Sequence, residues 1–133
     1  MTSQEKRIIT EQYVRLIREN MHLLREREGI GRYRMRGRLR ILMKWLEVIN
    51  GVYRQLRRSE GKSGAKARHD QLIARTIELM VYEEGSGILS TRLTGRRRVL
   101  SKQYVDRMAD EAFREIAQAA EQAGLLGGCG RMR

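Results

Sequence analysis

The chain reads as an all-α protein, a compact bundle of four to five helices, and three observations predict it. There is no proline among its 133 residues, so no helix is interrupted by a ring that removes an N–H donor. Aromatic residues make up only 5%, and the sequence is dominated by Leu, Arg, Glu, Ala, Met and Gln, which favour helix over strand. Apolar residues recur every three to four positions in long segments that end in glycine-rich breaks. A chain of this length is expected to bury one core, with residues 1–126 as a single helical domain and 127–133 as a flexible glycine-rich tail.

The first helix is expected over about residues 3–27. Thr2 precedes Glu5 at the spacing of a capping box, and Ile9, Tyr13, Leu16, Ile17, Met21 and Leu24 share one stripe. Gly29 and Gly31 end it. A second helix runs from about Arg38 to Arg58, with Leu42, Trp45, Leu46, Ile49, Val52, Tyr53 and Leu56 on a stripe that Ile41 and Val48 widen. A face that broad belongs to a central core helix or an oligomer contact, and Trp45 on it is a core residue. Residues 59–64 form a polar linker. The third helix, about Ala65 to Glu84, buries Leu72, Ile73, Ile77 and Met80 and stops at Gly85. Residues 88–100 mix β-branched and turn residues, as a short basic hairpin or an irregular loop would. Ser101 caps the last helix, whose stripe is Val105, Met108, Ala109, Ala112, Phe113, Ile116, Ala120 and Ala123, and Gly124 closes it. Its alanines permit close approach of another helix.

The formal net charge is +12, and arginine outnumbers lysine 23 to 5. Guanidinium is flat, permanently charged and pairs bidentately with phosphate, so an anionic partner is expected. The excess is concentrated. Residues 29–61 carry nine basic against two acidic side chains and residues 85–108 six against one, while the remaining segments are near balance.

In the first stretch arginine occupies every even position, Arg32, Arg34, Arg36, Arg38 and Arg40, with Lys44 beyond. If extended, the five arginines share one face over about 26 Å at roughly 3.3 Å per residue. If helical, Arg32, Arg36, Arg40 and Lys44 make one i,i+4 ridge, and Arg34 and Arg38 fall on the far side. Either arrangement crowds like charges until an anion is present. The second cluster, Arg92, Arg96, Arg97, Arg98 and Lys102, stands at the start of the final helix, where backbone N–H groups also attract anions. Arg57, Arg58, Lys62 and Lys66 flank the central linker and extend either surface. Tyr33, among the arginines, suits either stacking on an exposed base or packing.

Catalytic and cofactor motifs fail. Glu60-Gly61-Lys62-Ser63 resembles the end of a phosphate-binding loop, but Leu56 stands where the pattern needs glycine, and no strand precedes it. His22 and His69 with the single Cys129 do not supply a zinc ligand set. His69 and Asp70 are neighbours that point about 100° apart on a helix, with no nucleophile beside them. Asp106, Asp110 and Glu111 are expected on the solvent side of the last helix, solvating it rather than holding metal. No helix-turn-helix spacing is present. No apolar run approaches the ~20 residues of a membrane span and residues 1–5 lack a signal peptide's apolar stretch, while a lone cysteine fits a reducing, cytoplasmic compartment.

The function expected is therefore non-catalytic binding of nucleic acid, DNA or RNA, through the phosphate backbone, without cofactor, metal or membrane. A DNA-binding accessory factor and a small helical subunit of a ribonucleoprotein are both compatible. Small helical subunits of CRISPR effector complexes resemble this chain in size, helicity and basic surface, without a shared motif that would assign a family. The alternative is a helical interaction module that forms a homo-oligomer or docks on an acidic partner protein.

Overall fold

The capping box at Thr2 forms as the sequence spells it. The Thr2 hydroxyl accepts from the Glu5 amide at 3.1 Å, and the Thr2 amide donates to Glu5 Oε1 at 2.7 Å, so α1 (Ser3–Glu19) begins with two of its free donors satisfied. In this computed structural model, which describes residues 1–28, 37–59, 61–82 and 102–126, there follow α2 (Met21–Glu28), α3 (Gly37–Arg57), α4 (Ala65–Ile77) and α5 (Lys102–Gln122). A π-helical turn, Glu78–Tyr82, continues α4. Among the described residues there is no strand, and the expected helical bundle is the fold. The hairpin or loop expected at 88–100, the breaks at Gly29 and Gly31, the cap at Ser101 and the tail at 127–133 lie outside the described residues.

Two boundaries differ from the sequence reading. The segment read as one helix over 3–27 is two, divided at Asn20, whose side-chain amide donates to the Leu16 carbonyl at 2.8 Å. That local bond competes with the helical ladder, which is why asparagine is a poor interior residue. The third helix, read through Glu84, leaves α geometry after Ile77. Arg18 reaches across from α1 and donates to the carbonyls of Leu79 at 2.6 Å and Met80 at 2.9 Å, so carbonyls of the widened turn find a partner outside their own helix. At the far end, Gly124 takes φ +83°, and the Leu125 amide reaches the Ala120 carbonyl at 2.9 Å. This is a Schellman closure that a Cβ would disfavour, and it folds Leu126 back into the core.

The core lies between α1, α3, α4 and α5. Helix α4 packs on α5 and α3, α1 on α5, α3 and the π-helical turn, and α3 on α5. Trp45 is 1% exposed and stacks on Tyr13 with ring centroids 4.6 Å apart, as expected of a core residue. Several stripe assignments shift. Ile41 is exposed, as is Ala123, while Leu72, Met80 and Ala109 are half-buried. Val14, Met43, Ala74, Leu79, Val81 and Ala117 are buried instead. Buried Thr10 and Thr76 remain satisfied because each hydroxyl donates to the carbonyl one turn back, on Lys6 and Leu72, at 2.8 Å.

Candidate nucleic-acid interface

Helix α3 presents its broad apolar side to the other helices, and this fixes what points outward. Arg40, Lys44, Glu47, Gly51, Arg54 and Arg58 follow one another at steps of three or four residues and are all exposed, so they form one ridge. At 1.5 Å per residue the ridge is about 27 Å long. Four of its members are cationic and one, Glu47, is acidic. Neither Arg40, Lys44 nor Arg58 forms an ion pair with a carboxylate among the described residues. Lys62, exposed in the turn before α4, continues the positive charge past the end of α3.

This geometry decides part of what the sequence left open. Residues 37–40 are helical, so Arg38 and Arg40 are not teeth of an extended row, and Arg38 diverges from the ridge at the start of the helix. Arg32, Arg34, Arg36 and Tyr33 lie outside the described residues, as do Arg92, Arg96, Arg97 and Arg98; Lys102 opens α5. Arg57 turns to its own fold. It donates to the Tyr53 hydroxyl at 2.6 Å and sits 3.8 Å from Glu78. Arg54 was not singled out in the sequence, although its step of three from Gly51 and four to Arg58 gives it away once Arg40 and Lys44 are placed on one line.

Several cations elsewhere are matched. On α1 and α5, Lys6 pairs with Glu121 and Arg7 with Asp110. Arg7 also bonds Glu11 at 2.8 Å and lies over the Phe113 ring at 5.1 Å, and Arg114 bonds Asp110 at 2.7 Å. Burial pushes the Asp110 carboxyl up, but the hydrogen bonds from Arg7 and Arg114 and the charges behind them outweigh this and hold it below the ordinary value. Lys66 pairs with Asp70 at 3.3 Å. His69 meets Glu111 at 3.1 Å across the contact of α4 and α5, and Glu111 Oε2 is buried without a partner among the described residues. Asp110 and Glu111 therefore do not solvate the outer side of the last helix as expected. Both are turned to neighbouring helices, and only Asp106 of the three is exposed.

A cleft of about 480 Å³ adjoins the ridge, between α3 and the π-helical turn, with Asn50, Tyr53, Arg54, Glu78 and Tyr82 on its walls. Tyr53 donates to Glu78 at 2.6 Å, Arg75 donates to the other oxygen of Glu78 at 2.6 Å, and Tyr82 donates to Asn50. Burial pushes the Glu78 carboxyl up, and the bonds from Tyr53 and Arg75 bring it below its usual range. Burial raises the Tyr82 phenol to about 12. The cluster is internally satisfied.

The chain matches no protein-family model, no curated protein and no solved structure. Among the described residues no group of three His, Cys, Asp or Glu side chains converges to hold a metal ion, and no described helix is long and apolar enough to cross a membrane. The turn at 61–64 that resembled a phosphate-binding loop joins two helices, with the Lys62 amide bonded to the Ser59 carbonyl at 3.0 Å. It has none of the strand-to-helix framework that such a loop needs.

Proposed function

We propose that this protein binds nucleic acid without catalysis, through its phosphates, and that the exposed ridge of α3 is one contact surface. The observation that carries the reading is the contrast within one fold. Lys6 and Arg7 of α1 and Arg114 of α5 are paired with the protein's own carboxylates, whereas Arg40, Lys44, Arg54 and Arg58 line a common exposed face with a single acid among them. Like charges held on a rigid helix repel one another, and a polyanion relieves that repulsion while releasing its own counterions. The arginines at 32–36 and 92–98 belong to the same proposal on the strength of their sequence alone.

Fluorescence anisotropy with labelled DNA and RNA oligonucleotides at several salt concentrations tests it. About six to ten phosphate contacts would cost a thousandfold or more in affinity between 50 and 200 mM salt. Replacing Arg40, Lys44, Arg54 and Arg58 with Gln should weaken binding alike for unrelated sequences and flatten the salt slope by about one for each phosphate no longer neutralised. Tight binding with no salt dependence, or unaltered binding by that variant, would remove the ridge from the interface.

A further inference from the structure

The helical ridge of α3 contains a glycine that the described residues of the fold do not require. Gly51 lies in the interior of α3, has no positive φ, and a Cβ built there meets no atom of the described residues within 4 Å. Alanine would stabilise the helix and fit, because glycine gives up more chain entropy there than any other residue. Where neither backbone geometry nor packing among the described residues requires glycine, close approach of a partner supplies a reason.

Gly51 opens onto a groove of about 460 Å³ between α3 and α5. Val48, Val52 and Leu56 of α3 and Ala119 of α5 give it an apolar lining. Gln55, Gln118 and Gln122, with Glu115, place amide and carboxylate groups along it, which is the donor and acceptor chemistry of a base edge. The groove is several times the volume of a nucleobase, and the cationic ridge runs along one side of it.

We infer that the groove between α3 and α5 takes the bases of a single-stranded nucleic acid whose phosphates lie on Arg40, Lys44, Arg54 and Arg58. This rests on the phosphate-binding reading above and adds strandedness to it. Charge complementarity selects this occupant over a second copy of the chain. Two copies meeting antiparallel at Gly51 would set Lys44 of each against Arg58 of the other and only Glu47 near Arg54, so each ridge of four cations and one acid would face another of the same sign, whereas a strand brings negative charge to all four cations. A duplex keeps its base faces stacked inside and has nothing to offer an apolar groove.

The experiment compares three fluorescent ligands of equal length at one salt concentration: a single-stranded oligonucleotide, the same strand with abasic sugars, and a duplex. The intact strand should bind about tenfold or more tighter than the abasic one, since seating even two bases on an apolar floor is worth that much. Ala119→Met, which fills the groove from α5 and off the cationic ridge, should erase this difference and leave abasic binding unchanged; that unchanged binding also reports an intact fold and ridge. Equal affinity of wild type for the intact and abasic strands overturns the groove while the ridge reading stands, and so does a duplex bound as tightly as the intact strand. Failure to bind any of the three overturns both. If wild type is a dimer by light scattering and Ala119→Met makes it monomeric, the groove belongs to a second copy and the inference falls.

Discussion

Thr2, Asp110 and Trp45 show how single side chains set the local terms. Thr2 satisfies donors that no backbone group can reach, so Thr2→Ala should cost about 1 kcal/mol in chemical denaturation. Trp45 fills the space between α1 and α3 against Tyr13. Its replacement by alanine should cost about 3–5 kcal/mol, the combined penalty of reduced burial and a cavity. The carboxyls of Asp110 and Glu78 are both held below the ordinary range. A group depressed in the folded state contributes stability that is complete above its unfolded value and is lost as pH falls through the folded one. Unfolding free energy should therefore hold level from neutrality down to about pH 5 and decline below about pH 4. Asp110→Asn should shallow that decline, as measured by urea titrations at each pH.

Helices add constraints that no single residue carries. The π-helical turn after α4 depends on Arg18, because its guanidinium accounts for two carbonyls there. Removing it leaves acceptors without their charged donor, at about 1.5–3 kcal/mol for bonds of this kind. Arg18→Met should lower the denaturation midpoint and speed amide exchange selectively in residues 78–82; uniform exchange across α4 would mean that the turn is stable without it. Helix α3 carries the reverse case. Gly51→Ala should raise stability by about 0.5–1 kcal/mol, since the new methyl meets open space. A loss of stability on thermal melting would show that the groove is tighter than its walls indicate. Both effects follow from where a residue falls on its helix, and on α3 the stripe read from the sequence leaves Gly51 off the buried face. For Arg18 the stripe is silent, since nothing in residues 1–28 announces a carbonyl on another helix.

Across the whole molecule, charge is divided between surfaces that hold the bundle together and a surface left positive. Lys6 with Glu121 and Arg7 with Asp110 tie α1 to α5, and His69 with Glu111 ties α4 to α5. The formal excess of +12 remains, and it opposes the compact state at low ionic strength. An anion that binds only the folded form should therefore raise the melting temperature in proportion to RT ln(1 + [L]/Kd). Oligonucleotide added to tenfold above its dissociation constant is expected to stabilise by about 1.4 kcal/mol, read by differential scanning calorimetry. The variant lacking the four ridge cations should gain less from the same addition.

The sequence by itself determined that the chain is helical, where α1 begins and where α5 ends, that Trp45 is core, and that the positive charge is clustered. These are local matters of periodicity, capping chemistry and composition, which neighbours along the chain decide. Only the tertiary structure decided that Asp110 and Glu111 turn inward, that Arg57 is engaged by Tyr53 and Glu78 while Arg54 joins the exposed ridge, and that a groove opens beside Gly51. Those outcomes depend on which helix stands opposite, and a periodic pattern says how wide a buried face is without saying what it meets. An arginine is written the same way whether a carboxylate from a distant segment neutralises it or solvent surrounds it, so the partition of charge between structure and surface is settled by packing.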